Sequence, residues 1–135
     1  MSAKPLVKKL VAAGTVGLTV ALTAATPALA TDAGISGSLT KNQTTWYGTQ
    51  RTITANGSNI YVKKTDGPEI DVKWYKCSDR NNAGGWVRLP NADPTGRLLI
   101  GSGFAAGTVF CLAAISRGSN ATDSWSGTVS WNVFS

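Results

Sequence analysis

From Ile70 to Lys76 apolar and polar residues alternate, with Ile70, Val72 and Trp74 falling on one face. From Trp125 to Val133 the odd positions are apolar or glycine and the even ones short and polar. A period of two marks a half-buried β-strand. Thr108 to Ile115 is nearly continuous in apolar residues instead, the pattern of a strand at the centre of a sheet. Shorter strands are expected at Ile35–Leu39, Thr44–Tyr47, Arg51–Ala55, Ser58–Lys64, Trp86–Leu89 and Arg97–Ile100. Turn chemistry separates them at Asn56-Gly57, Asp66-Gly67-Pro68, Asn82-Ala83-Gly84-Gly85, Asp93-Pro94-Thr95-Gly96 and Gly118-Ser119-Asn120. No stretch beyond residue 30 repeats apolar residues at helical spacing over three turns. Seven to eight short strands in this length predict an all-β chain folded as a sandwich.

The first thirty residues read differently. Lys4, Lys8 and Lys9 precede an uncharged stretch from Leu10 to Ala25, and Pro27 leads into Ala28-Leu29-Ala30. That is a basic segment, an apolar segment and a small-x-small cleavage site. The apolar run is short of the roughly 20 residues that cross a bilayer. Residues 1–30 are therefore expected to be a secretory signal peptide of bacterial type, with no membrane insertion after its removal. A flexible arm, residues 31–38, and one sandwich domain, residues 39–135, are expected to remain.

Losing the leader removes three lysines and takes the net charge from +6 to +3, ten Lys and Arg against seven Asp and Glu. The basic residues are spread from Lys41 to Arg117 with no cluster denser than Lys63-Lys64. A nucleic-acid binder gathers such residues on one face, so no nucleic acid partner is expected. Cys77 and Cys111 are the only cysteines, and in an exported chain such a pair is expected to be bridged.

Val72-Lys73-Trp74-Tyr75-Lys76 resembles the third core strand of an immunoglobulin-type domain, with Trp74 as its buried indole. Gly107-Thr108-Val109-Phe110-Cys111-Leu112-Ala113 resembles the later strand that carries a core cysteine, and Arg97–Ile100 lies where an intervening strand would be. The resemblance implies an immunoglobulin-like antiparallel β-sandwich with one disulfide. It breaks at one place: the family's partner cysteine precedes the tryptophan, whereas Cys77 follows Trp74 by three residues. The two strands are sheet neighbours in that fold, so the bridge is expected to link adjacent strands. Parity puts Cys77 on the face opposite Ile70, Val72 and Trp74.

The chain contains no histidine, which removes Ser-His-Asp and Cys-His catalysis, histidine metal sites and the usual neutral-pH proton shuttle. Glu69, Asp71 and Asp66 could supply a carboxylate pair, but they flank a turn, where charges are ordinarily solvated. Asp79, Asn81 and Asn82 offer oxygens for calcium without a bidentate glutamate, and turn formation accounts for them equally well. No catalytic residue, metal or cofactor is expected, and the chain is read as a non-enzyme.

Five tryptophans lie beyond the leader. Trp74, Trp125 and Trp131 share faces with Ile, Val and Gly and are expected in the core. Trp86 follows Gly84-Gly85 and shares its face with Arg88, while Trp46 and Tyr47 have almost no aliphatic neighbours. Exposed Trp, Tyr and Arg are enriched at protein interfaces, and exposed Trp also stacks on sugars. Trp86, Arg88, Trp46, Tyr47 and Arg80 are the candidate binding residues. The segment Thr31, Asp32, Ala33, Gly34, Ile35 and Ser36 is either a disordered lead-in or an arm that docks extended into a partner's groove.

In overall plan, with export, a compact small domain and a short arm, the chain is similar to the small adaptor subunits of umbrella toxin particles secreted by streptomycetes. Those subunits link a lectin-bearing subunit to a toxin stalk. The resemblance implies an adaptor whose partner is another secreted protein. Two alternatives remain open: a carbohydrate-binding module with a polysaccharide ligand on Trp46, Tyr47 and Trp86, and a proteinase inhibitor offering Arg80 from the loop after Cys77.

Overall fold

The alternating segments fold as antiparallel strands. The computed structural model describes residues 30–91 and 96–134. The expected leader, Ala30 apart, and the expected turn at 93–96, Gly96 apart, lie outside the described residues. Among these residues there are nine strands: β1 (Thr31–Thr40), β2 (Thr44–Thr52), β3 (Ser58–Asp66), β4 (Ile70–Lys76), β5 (Asp79–Ala83), β6 (Val87–Leu89), β7 (Leu98–Phe104), β8 (Val109–Ser116) and β9 (Thr122–Val133). Four form one sheet in the order β1-β9-β3-β7. The other five form a second sheet in the order β2-β8-β4, with β5 and β6 sharing the far side of β4.

The two sheets enclose one apolar layer. Ile35, Val62, Val129 and Trp125 from the four-stranded sheet meet Ile70, Val72, Phe110 and Leu112 from the five-stranded sheet in a single cluster. Both β4 and β8 therefore turn alternate residues inward, as their period of two requires. At one end the buried Lys64 ammonium donates to the carbonyls of Gly67 (2.9 Å) and Asn91 (3.1 Å), which satisfies a charge that burial would otherwise penalise. At the other end Asn132 adopts φ of 59° and ties three strands and a loop together. Its N–H donates to Ser58 Oγ, its Oδ1 accepts from the Thr54 N–H, and its Nδ2 donates to Thr31 Oγ1.

Three expectations change. The segment 31–38 is not a free arm: Thr31–Thr40 pairs with Thr122–Trp131 of β9 along its whole length. Ile35 and Leu39 are buried by this pairing, which is what holds so small and polar a segment in place. The two strands expected at Thr44–Tyr47 and Arg51–Ala55 are one bulged strand, whose register against β8 shifts between Tyr47 and Arg51. Finally, Asp79–Ala83 is an edge strand returning along the end of β4, not an open loop.

The architecture expected from the immunoglobulin resemblance, two antiparallel sheets with one disulfide, is present. The strand order differs at its margins. In that family the last strand flanks the cysteine-bearing strand. Here β9 lies between β1 and β3, and β2 takes the place beside β8.

Candidate functional site

The inward residues of β4 leave Asp71, Lys73 and Tyr75 on its outer face. Across β8 their partners are Ile115, Ala113 and Cys111, and Trp46 of β2 stands opposite Ala113. The disulfide lies on this face, as parity required. Cys77 and Cys111 are bonded across neighbouring strands with Cα atoms 5.1 Å apart, packed with Tyr75 and Ala113.

Ala113 is too small to stand up from the sheet, and the Trp46 indole leans over it toward Tyr75. The two rings meet edge to face with centroids 4.9 Å apart. The Lys73 ammonium lies 5.1 Å from the Trp46 ring centre and 4.6 Å from that of Trp86. The Arg80 guanidinium covers Trp46 at 4.6 Å. Trp86, Lys73, Trp46 and Arg80 thus form a row of alternating aromatic and cationic groups, each cation held by ring quadrupoles. Among the described residues neither Lys73 nor Arg80 has a carboxylate partner. Nor does the indole N–H of Trp46 or Trp86 find an acceptor there. Trp86 remains 39% exposed.

Beside this row lies an ion cluster. Asp71 is buried and accepts from Arg88 Nε and, at 2.8 Å, from Arg117 Nε, while Glu69 lies 3.5 Å from Arg88. Burial alone would push the Asp71 carboxyl up. Hydrogen bonds and Coulomb attraction from Arg88 and Arg117 outweigh it and hold the group below its ordinary value. The hydrogen bond to Asp71 raises Arg88 in turn. Asp71 is thus held as an anion by two arginines, and Glu69 pairs with one of them, Arg88.

Of the expected binding residues, Trp46, Trp86 and Arg80 come together, and Arg88 sits in the neighbouring cluster. Arg80 projects from a paired strand onto Trp46, where an exposed loop had been expected. Tyr47 does not belong here. It points between the sheets, where it donates to the Ser38 carbonyl and accepts from Trp125 Nε1 at 3.0 Å. Gly37 of β1 makes room for the ring: a Cβ there would come within 2.4 Å of Tyr47. Burial pushes the Tyr47 phenol up, with the Trp125 N–H pulling the other way. The segment Thr31 to Ser36 lies in the other sheet as part of β1.

Lys73 and Tyr75 were missed as site residues. Their signal was parity, since they share a face with Cys77 and not with Trp74. The chain matches no known family model, and no curated protein matches it in sequence.

Proposed function

We propose that the chain is a secreted, non-catalytic protein-binding module, an adaptor in an extracellular complex. Its docking face is the outer side of the five-stranded sheet, and its partner presents carboxylates there. The observation that carries this reading is the row Trp86, Lys73, Trp46 and Arg80, whose cations lack carboxylate partners among the described residues and whose indole N–H groups lack acceptors there. Groups held in place by their own rings can meet a carboxylate with little ordering cost. The disulfide on this face ties the turn after β4 to β8, the strand between β2 and β4, and is compatible with an extracellular location. A part in a secreted toxin particle would be one case of this reading, but the free arm on which the likeness to umbrella-particle adaptors partly rested is strand β1. Residues 31–38 are occupied in β1, which favours the sheet face over an arm as the docking element.

A polysaccharide ligand is the second reading, favoured by the exposure of Trp86. Lys73 over that ring suits an acidic partner better than an uncharged sugar. The test is capture of the partner from culture supernatant, followed by calorimetry with Trp86→Ala and Lys73→Glu. Each variant should weaken binding by about 2 kcal/mol, and the wild-type affinity should fall as salt rises. Salt-independent binding to chitin or cellulose that requires Trp86 would replace this reading with the carbohydrate one.

A further inference from the structure

At the end of the sandwich where β4 turns into β5, an open cleft of about 760 Å³ is lined by Trp74, Phe104 and the turn at residues 106–109. The volume falls within the roughly 300–1,000 Å³ of small-molecule sites. The two rings stand perpendicular with centroids 4.8 Å apart, both packed against the core. The indole is clamped: a Cβ on Gly84 would fall 2.3 Å from Trp74 Nε1, and one on Gly101 2.7 Å from it. The turn is equally fixed, by hydrogen bonds from the Gly107 N–H to Ile53, from Thr108 to Ala105 and from Ala106 to Asn56. The aromatic wall and the space before it are therefore preformed.

Five polar side chains, Gln50, Lys76, Ser78, Asn82 and Thr108, line this cleft. None has a side-chain hydrogen bond or ion pair among the described residues. Among the described residues Lys76 is the one charged group in the lining. An aromatic wall selects a planar ring, a lone ammonium selects an anion, and unengaged amides and hydroxyls fix orientation. We infer that this cleft binds a planar aromatic small molecule carrying one acidic group. The site is separate from the proposed docking face, for neither Trp86 nor Lys73 lines it.

The probe is 2-naphthoate, with 2-naphthamide as its uncharged counterpart, titrated calorimetrically into the intact protein. One-site binding of the carboxylate is expected, with the amide weaker by about tenfold and Lys76→Gln closing that gap. Ala106→Trp, which fills the cleft from an exposed lining position, should abolish binding, and Ser78→Tyr, at another exposed lining position, does the same should that variant fail to fold. Trp86→Ala should leave the affinity within about twofold. Absence of saturable binding, equal affinity for acid and amide, or full affinity in a folded cleft-filling variant would overturn the inference. Loss of binding in Trp86→Ala would also overturn it, by moving the probe to the outer face.

Discussion

On the inner side of the sandwich, Trp125 and Trp131 are buried and each indole N–H has a fixed acceptor, Tyr47 Oη and the Thr52 carbonyl, both at 3.0 Å. On the outer side, Trp46 and Trp86 are held by cations over their rings, and their N–H groups have no acceptor among the described residues. The difference separates two uses of one residue type. A buried indole must satisfy its donor internally or bear the cost of desolvation, so its partner is part of the fold. A surface indole kept in place by its ring leaves the donor for something that arrives.

Emptying the inner side should have the largest effect. Trp125→Ala is expected to cost about 3–5 kcal/mol in denaturant unfolding, the range for removing a core aromatic side chain. A similar loss for Trp86→Ala would erase the distinction between the two sides.

Next comes the one strong stabilising element of the outer side, the disulfide. Cys77 and Cys111 are separated by 34 positions. Replacing both by serine should cost about 3–4 kcal/mol through the freed unfolded chain. A much smaller loss would mean that β4 and β8 are held together by their inner residues alone.

The ion cluster ranks third. Asp71→Asn should cost about 2 kcal/mol, less than a fully buried pair because both arginines keep contact with water. Since Asp71 titrates lower in the folded chain than in the unfolded one, its contribution is present above the ordinary carboxylate range near pH 4. It is lost as pH falls through the folded value. Unfolding followed against pH should therefore show a shallower acid limb in Asp71→Asn, and an unchanged slope would remove Asp71 from the acid response.

The smallest effect is expected for Trp86→Ala, within about 0.5 kcal/mol of wild type in thermal unfolding. That near-neutrality is what would separate a docking residue from a packing one.

Much of this contrast could be read from spacing. The period of two in Ile70–Lys76 and Trp125–Val133 assigned inward faces correctly, and it put Cys77 on the outer side before any partner strand was known. Two segments carried that signal only in part or not at all, for a physical reason. Asp79–Ala83 lies at a sheet edge with only Ala83 even half-buried, so no apolar alternation marks it. Thr31–Thr40 alternates, but Thr31, Ala33 and Gly37 fill three of its five inward positions, so only the part from Ile35 to Leu39 was legible as a strand. Tyr47 shows a different limit. Its inward turn depends on the gap at Gly37, a match between distant positions that neither segment displays by itself. Three of the four members of the outer row, Trp46, Trp86 and Arg80, stood out by residue type, whereas Lys73 carried only the weaker signal of sharing a face with Cys77.

The placing of β9 between β1 and β3 bears on how the chain reaches this fold. β1 has no other ladder partner, so the described strand made first cannot pair until the one made last is available. The register joins Thr31 to Trp131, a closure across nearly the whole described chain. Such distant pairing is slow, because the entropy of closing the loop is lost before any contact compensates it. A growing or translocating chain would hold β3 without its central neighbour until β9 emerged. Of this sheet only the β3–β7 pair can form before β9; the pairings of β1 and of β3 with β9 must wait for it.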